Sequence, residues 1–340
     1  MSSMKKKIFL IYGGLSSERE VSVETAWTML QWLSSFRYDL ILVHIDLKGE
    51  WHLKNGNIDS FEELYFESSD GLETFVKIAR SEKAVVMPLL HGRFGEDGTI
   101  QGFLETLGVP YIGNRVETSA ISLNKSITKS ILKEHGIPVV NGTTIRKQES
   151  IFSSEDEVLK KFIALKFPLV LKPLREGSSV GIQYVGREEE LKEALMAGFK
   201  YDDELLIEEK IECREIFVSI IQRGKEVFIS VLGEVTVEND YYTYQDKYSN
   251  DSTAKKMLAS LPEKIDKEIR ELSARVFSVL GGRGLMRVDF FLSSQNQVFV
   301  NEVNTLPSLQ GSSVYPYLLK ESGLTERDIV KALIESAYLE

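Results

Sequence analysis

A single cysteine, Cys213, excludes an internal disulfide and fits a reducing cytosol. Histidine is scarce too: the four in the chain are scattered, without the spacing of a zinc site. No apolar run is long enough to span a bilayer, which predicts no membrane association. Positive charge is in deficit. Lys and Arg total 41 against 51 for Asp and Glu, a net charge of −10 that argues against a nucleic-acid surface but leaves room for a local basic pocket. Lys5-Lys6-Lys7 before Ile8 imitates a secretion signal. Its apolar run stops at Tyr12, before Gly13-Gly14, and reads better as a first buried strand. There is no Walker loop and no Gly-x-Gly-x-x-Gly fingerprint, so a nicotinamide enzyme is disfavoured. Repeats and low-complexity segments are absent as well.

What remains is the composition of a globular protein, with 43% hydrophobic and 27% charged residues. A chain of 340 residues predicts two or three domains. The pattern predicts strands over 8–12, 40–45 and 84–90, with helices over 21–33 and 98–107. Such alternation gives a parallel sheet covered by helices, whose ligands sit at the carboxyl ends of the strands. Residues 46–82 read as turns mixed with helical pieces. A helix over 125–135 follows. Beyond it come strands at 169–172, 180–185 and 204–209, a helix over 188–197, a hairpin of 216–222 with 227–232, and a helix over 263–280. This half is α+β with antiparallel pairs. Residues 240–256 are polar, tyrosine-rich and aperiodic, and predict a lid.

Two stretches near the C-terminus carry the chemistry: Arg287-Val288-Asp289-Phe290-Phe291 and Val300-Asn301-Glu302-Val303-Asn304. Both read as strands, on which alternate side chains share a face. Pairing would gather Arg287, Asp289, Glu302 and Asn304 on one patch. Two carboxylates and an amide oxygen suit Mg²⁺ carrying phosphates, and the arginine can steady a developing negative charge. The alternative is a solvated charged face on two edge strands. Lys172 precedes Gly177-Ser178-Ser179-Val180-Gly181, small residues whose N–H groups can approach a phosphate. Lys125 opens a helix where the dipole disfavours a cation, a hint of service to a ligand. The strand Leu205 to Glu209 has the apolar face and edge backbone that an adenine needs, and Glu215 stands where ribose hydroxyls would fall.

These pieces, in this order, resemble the ATP-grasp superfamily and, within it, the D-alanine–D-alanine ligase family. The likeness rests on Gly13 to Ser22, His91 to Gly98, Lys172 to Gly181, Asp246-Lys247-Tyr248 and Glu302-Val303-Asn304-Thr305, and runs from Ile8 to about Tyr315. It implies an α/β chain with the ATP-grasp fold. A Rossmann-like parallel-sheet domain (1–113) is followed by a central (114–212) and a C-terminal (213–340) α+β domain that clamp ATP, with the mobile loop 240–256 in the last. It also implies roles. Glu18 would anchor the first D-alanine's ammonium, in a hydrogen-bonded chain with Ser178 and Tyr248. His91 would sit near that substrate's carboxylate. Lys125, Lys172 and Lys247 would hold ATP phosphates beside Ser178 and Ser179. Glu208, Glu209 and Ile211 would hold adenine, and Glu215 the ribose. Asp289, Glu302 and Asn304 would hold two Mg²⁺ ions, with Mn²⁺ as an alternative. Arg287 would face the tetrahedral intermediate and Ser313 the second D-alanine's carboxylate.

The chain departs from the family pattern after Asn304-Thr305-Leu306-Pro307. The family has a glycine there, whose N–H meets the oxyanion, and this chain has Ser308. Serine keeps that N–H, so the chemistry survives unless the backbone needs φ > 0. The segment 48–81 looks longer than in compact members. The expected activity is ATP-dependent ligation of two D-alanines for peptidoglycan precursors, in the cytoplasm, by a homodimer. Rivals are a ligase that takes D-lactate or D-serine second, and a non-catalytic nucleotide-binding regulator.

Overall fold

The computed structural model describes residues 6–81, 84–152, 162, 164–177, 179–236 and 255–339. The first sheet has the order β3-β2-β1-β4, from β1 (Lys7–Gly13), β2 (Asp39–Ile45), β3 (Trp51–Asn55) and β4 (Ala84–Pro88). β1 is flanked in parallel by β2 and β4 and is buried on both faces, which explains its unbroken apolar run. β3 was not foreseen. It pairs antiparallel to β2 from within the stretch read as turns and helical pieces. Helices α1 (Arg19–Leu33), α2 (Gly71–Ser81) and α3 (Thr99–Leu107) accompany the sheet.

After α4 (Val116–Leu123) and α5 (Lys125–Glu134), the chain builds β5 (Gly142–Arg146), α6 (Lys147–Phe152), β6 (Leu169–Pro173), β7 (Gln183–Val185), α7 (Leu191–Gly198) and β8 (Glu204–Glu209). Its four strands form an antiparallel sheet ordered β5-β8-β6-β7. β7 is shorter than expected, because Val180 and Gly181 belong to a turn closed by Val180 N–H donating to Gly177 O at 3.0 Å. The helix expected from 188 begins as a 3₁₀ turn over Glu188–Glu190.

The third sheet holds β9 (Cys213–Arg223), β10 (Glu226–Ile229), β11 (Gly233–Thr236), β12 (Lys255–Leu258), and, after α8 (Glu263–Val279), β13 (Leu285–Ser293) and β14 (Val298–Asn304). Its path is β12-β11-β9-β13-β14, with β10 on β9. Of the expected lid, 240–254 lie outside the described residues. Lys255 and Lys256 are strand residues opposite Thr236 and Val235, which corrects that part of the expectation. α9 (Val314–Glu321) and α10 (Glu326–Ser336) close the chain, the latter started by a capping box between Thr325 and Asp328.

One apolar core joins the first and third sheets, bringing Ile8, Leu10 and Tyr12 together with Ile221, Leu285, Leu306 and Tyr315. Asn114, 1% exposed, fixes the joint. Its Nδ2 donates to Leu285 O at 2.6 Å and Thr305 O at 2.8 Å, while its Oδ1 accepts from Arg283 N at 2.8 Å. Both polar atoms of its side chain are thereby satisfied, and the loop after β14 is tied to the β13 strand. Among the described residues no helix is long and apolar enough to cross a membrane.

Candidate active site

The two C-terminal strands pair as the alternation requires. Arg287 stands opposite Asn304, and Asp289 opposite Glu302, across the antiparallel β13–β14 ladder. The register shifts between Asp289 and Phe290, so a bulge ends this face just past the acids. Arg287 Nε and Nη2 donate to Asp289 Oδ1 and Oδ2, each at 2.7 Å. Asn304 Nδ2 lies 3.3 Å from Asp289 Oδ2. This is a hard oxygen set beside a cation, and it fits a divalent ion bound by Asp289, Glu302 and the amide oxygen of Asn304.

The lysines expected to meet phosphate lie on the next wall. Asn124 caps α5 by accepting from the N–H groups of Ser126 and Ile127, which sets the direction of Lys125. Lys125 Nζ donates to Glu176 O at 2.5 Å, at the base of the glycine loop. Ser179 in that loop has a left-handed φ of +64°, the strained geometry that points N–H groups to one side. Lys172, at the end of β6, is buried. Its Nζ pairs with Glu208 Oε2 at 2.7 Å and donates to Asn301 Oδ1 at 3.1 Å. Glu208 Oε1 accepts a short hydrogen bond from Lys129, one turn after Lys125. Burial alone would raise the Glu208 carboxyl, but the two ammonium groups hold it below the usual range. Burial outweighs Glu208 at Lys129, whose pKa falls. At Lys172 the carboxylates of Glu208, Glu302 and Glu215 outweigh burial, and its pKa rises.

The third wall comes from the N-terminal sheet and the loop after β14. Glu18 ends the turn before α1 and is 8% exposed. Its carboxylate is wedged between two glycines: a Cβ on Gly92 would fall 2.8 Å from Oε2, and one on Gly177 would fall 3.2 Å from it. His91 Nε2 lies 3.3 Å from Thr25 Oγ1. Burial, aided by the Arg287 charge, pushes His91 down to about 4, so the ring is neutral at pH 7. Glu96 accepts from Gly92 N at 2.8 Å. Burial first, then the Glu18 charge, raises Glu96 to about 8. Ser308 Oγ accepts from Ser313 Oγ at 2.9 Å and lies 3.4 Å from Thr25 Oγ1. Ser308 is not among the residues with positive φ, so its backbone needs no glycine.

Two cavities open between these walls and run together at Lys125, Glu176, Gly177, Phe217 and Glu302. Glu18, His91, Arg287, Asn304, Ser308 and Ser313 line the first. Lys172, Ser179, Glu208, Glu209, Ile211, Glu215 and Asp289 line the second, the larger of the two. Every described residue singled out from the sequence therefore meets in one site. Ser178, Lys247 and Tyr248 lie outside the described residues. Sequence reasoning missed Lys129, Glu96, Glu176 and Asn301. The helical spacing of Lys129 after Lys125 was the available signal for the first.

Residues 7–114 match the family model described as D-ala D-ala ligase N-terminus, and 131–335 the one described as D-ala D-ala ligase C-terminus. The chain belongs to the D-alanine–D-alanine ligase family. Among its relatives, a D-alanine–D-alanine ligase of Enterococcus faecalis is 37% identical over 343 residues, covering 97% of this chain and 98% of that one. One from Oceanobacillus iheyensis is 35% identical over 355 residues, covering 98% and 95%. The solved D-alanine–D-alanine ligase of Coxiella burnetii superposes with a TM-score of 0.80 at 30% identity, over 98% of this chain and 94% of that one. A D-Ala:D-Ser ligase of Enterococcus faecalis gives 0.82 at 28% identity, over 98% and 100%. The architecture is the ATP-grasp fold that the family resemblance implied.

Proposed function

We propose that this chain joins two molecules of D-alanine into D-alanyl-D-alanine at the expense of ATP, for peptidoglycan precursor synthesis. The observation that carries this is the junction of the two cavities. The amino-acid side holds Glu18 and Arg287, the nucleotide side holds Lys172 and Asp289, and Glu302 stands at the opening between them. A carboxylate placed there meets a γ-phosphate.

A carboxylate is a poor electrophile. Transfer of the γ-phosphoryl group to it gives an acyl phosphate and ADP. Glu18 holds the first substrate's ammonium by a charge-assisted bond, which fixes the carboxylate toward Lys125 and Arg287. The second D-alanine attacks the acyl carbon as a neutral amine. An oxyanion forms against Arg287 and the N–H of Ser308. The bond from carbon to the phosphate oxygen then breaks, and inorganic phosphate leaves. The amine's proton goes to a phosphate oxygen or to the Ser178–Tyr248 hydroxyls. Ser313 receives the second carboxylate. Two divalent ions, Mg²⁺ or Mn²⁺, held by Asp289, Glu302 and Asn304, would neutralise charge on the transferred phosphoryl group.

Adenine lies along the end of β8. The N–H groups of Glu209 and Lys210 already donate to Asn141 O and Pro168 O, so the donor for its edge falls to the backbone around Ile211. Glu215 takes the ribose, and Lys247 joins the phosphate lysines from 240–256, which we read as a lid against hydrolysis of the acyl phosphate. Each sheet forms the heart of one domain, at 1–113, 114–212 and 213–340. By family resemblance the working unit is a homodimer in the cytoplasm. The test is phosphate release with ATP, Mg²⁺ and D-alanine, offered alone or with D-serine or D-lactate. D-alanine alone should suffice. Turnover only with the mixed pair would make this a ligase of another second substrate.

A further inference from the structure

Lys129, Glu208 and Lys172 form a buried triad, 7%, 1% and 8% exposed. Lys172 and Glu208 line the nucleotide cavity, and Lys129 stands behind Glu208, off its wall. Each oxygen of the carboxylate serves one lysine, Oε1 to Lys129 and Oε2 to Lys172. Two cations on one anion leave one positive charge, and the cation that borders the cavity is Lys172. A lone Glu208–Lys172 pair would be neutral, with both oxygens drawing the ammonium back into the wall. An unpaired buried charge is costly, so the Glu208 carboxylate keeps both ammonium groups paired within the wall.

We propose that Lys129 is a positioning residue for ATP. It occupies one oxygen of Glu208, so that the other presents Lys172 Nζ to the phosphates with its charge not cancelled by that carboxylate. The Glu208 carboxylate is then a saddle for two lysines. This rests on the ATP reading of the cavity. Asn301 Oδ1, 3.1 Å from Lys172 Nζ, fixes the ammonium from the β14 side without adding charge.

A double-mutant cycle on the full chain tests this, reading the dissociation constant of the ATP analogue adenylyl imidodiphosphate with Mg²⁺. Lys129→Met should weaken binding about tenfold or more, the scale of coupling within one ion-pair network. In the Glu208→Gln background, the same change should cost less than about threefold, because nothing remains for Lys129 to occupy. The KM for D-alanine at the first site should stay within about twofold, a split that a merely structural role would not produce. If Lys129→Met does not fold, Lys129→Gln replaces it; it can still donate to Oε1 without charge and should weaken binding in the same direction. Equal losses in both backgrounds would overturn the proposal, since Lys129 would then act independently of Glu208. An unchanged dissociation constant with a lowered melting temperature would also overturn it. Failure of the wild type to bind the analogue at all would instead strike the ATP reading itself.

Discussion

Arg287 grips Asp289 along one face of β13, with two hydrogen bonds of 2.7 Å from the same guanidinium. The residue expected to meet the oxyanion and the residue expected to hold the metal are thus one unit. Only a planar fork can reach both oxygens at once. Arg287→Lys keeps the charge but loses the fork. It should lower kcat by on the order of 100-fold, the scale for one oxyanion donor, with the melting temperature within a few degrees. Near-normal turnover in the folded variant would remove Arg287 from the oxyanion site.

Gly92 has φ +67°, and a Cβ there would fall 2.7 Å from Ser16 Oγ and 2.8 Å from Glu18 Oε2. Gly92→Ala should therefore push Glu18 off its mark as well as strain the turn. The expected readout is a first-site KM for D-alanine raised by about 10-fold or more, the cost of a lost charge-assisted bond. The KM for ATP should move little. A variant altered only in ATP affinity would show that Glu18 does not hold the amino acid.

Ser308 stands where the family has glycine, yet it needs no left-handed backbone. Ser308→Gly keeps the N–H but loses the hydroxyl that meets Ser313 at 2.9 Å. Stability should fall by about 1 kcal/mol, from a lost hydrogen bond and a looser unfolded chain. Turnover should stay within about fivefold, since the oxyanion donor is unchanged. Urea melts and steady-state rates check both. A large fall in kcat would mean that the side chain itself takes part.

The Glu96 carboxyl, raised from 4.5 to about 8, gives a stability term of known sign. Through that window the folded protein keeps a proton that the unfolded chain has released, so this term makes stability fall as pH rises. Glu96→Gln still accepts from Gly92 N and has no charge to bury. Its melting temperature, compared with wild type at about pH 5 and about pH 8, should fall less across the interval. An unchanged slope would place the proton elsewhere.

Much of this was legible because the sites lie on strands with clear alternation. Arg287, Asp289, Glu302 and Asn304 could be assigned to one face from spacing alone, and the ladder pairs them in that register. β3 was hidden because Trp51-His52-Leu53-Lys54-Asn55 is a five-residue edge strand inside a stretch rich in turn formers. α4 was missed because Val116-Glu117-Thr118-Ser119 offers hydroxyl and β-branched residues, which propensity places outside helices. Lys129 was passed over for another reason. A lysine on a helix reads as solvent-exposed until the tertiary fold sets a buried carboxylate against it.

The measurement that bears most directly on the ligase reading follows a heavy oxygen isotope. D-alanine labelled in its carboxylate is turned over with ATP and Mg²⁺, and the inorganic phosphate is recovered for mass analysis. If the first substrate is activated as an acyl phosphate, one of its carboxylate oxygens leaves with the phosphate. Each phosphate should then carry one label per dipeptide formed, and L-alanine should release none. Unlabelled phosphate alongside dipeptide would contradict the acyl-phosphate route, and phosphate release without dipeptide would contradict the ligase itself.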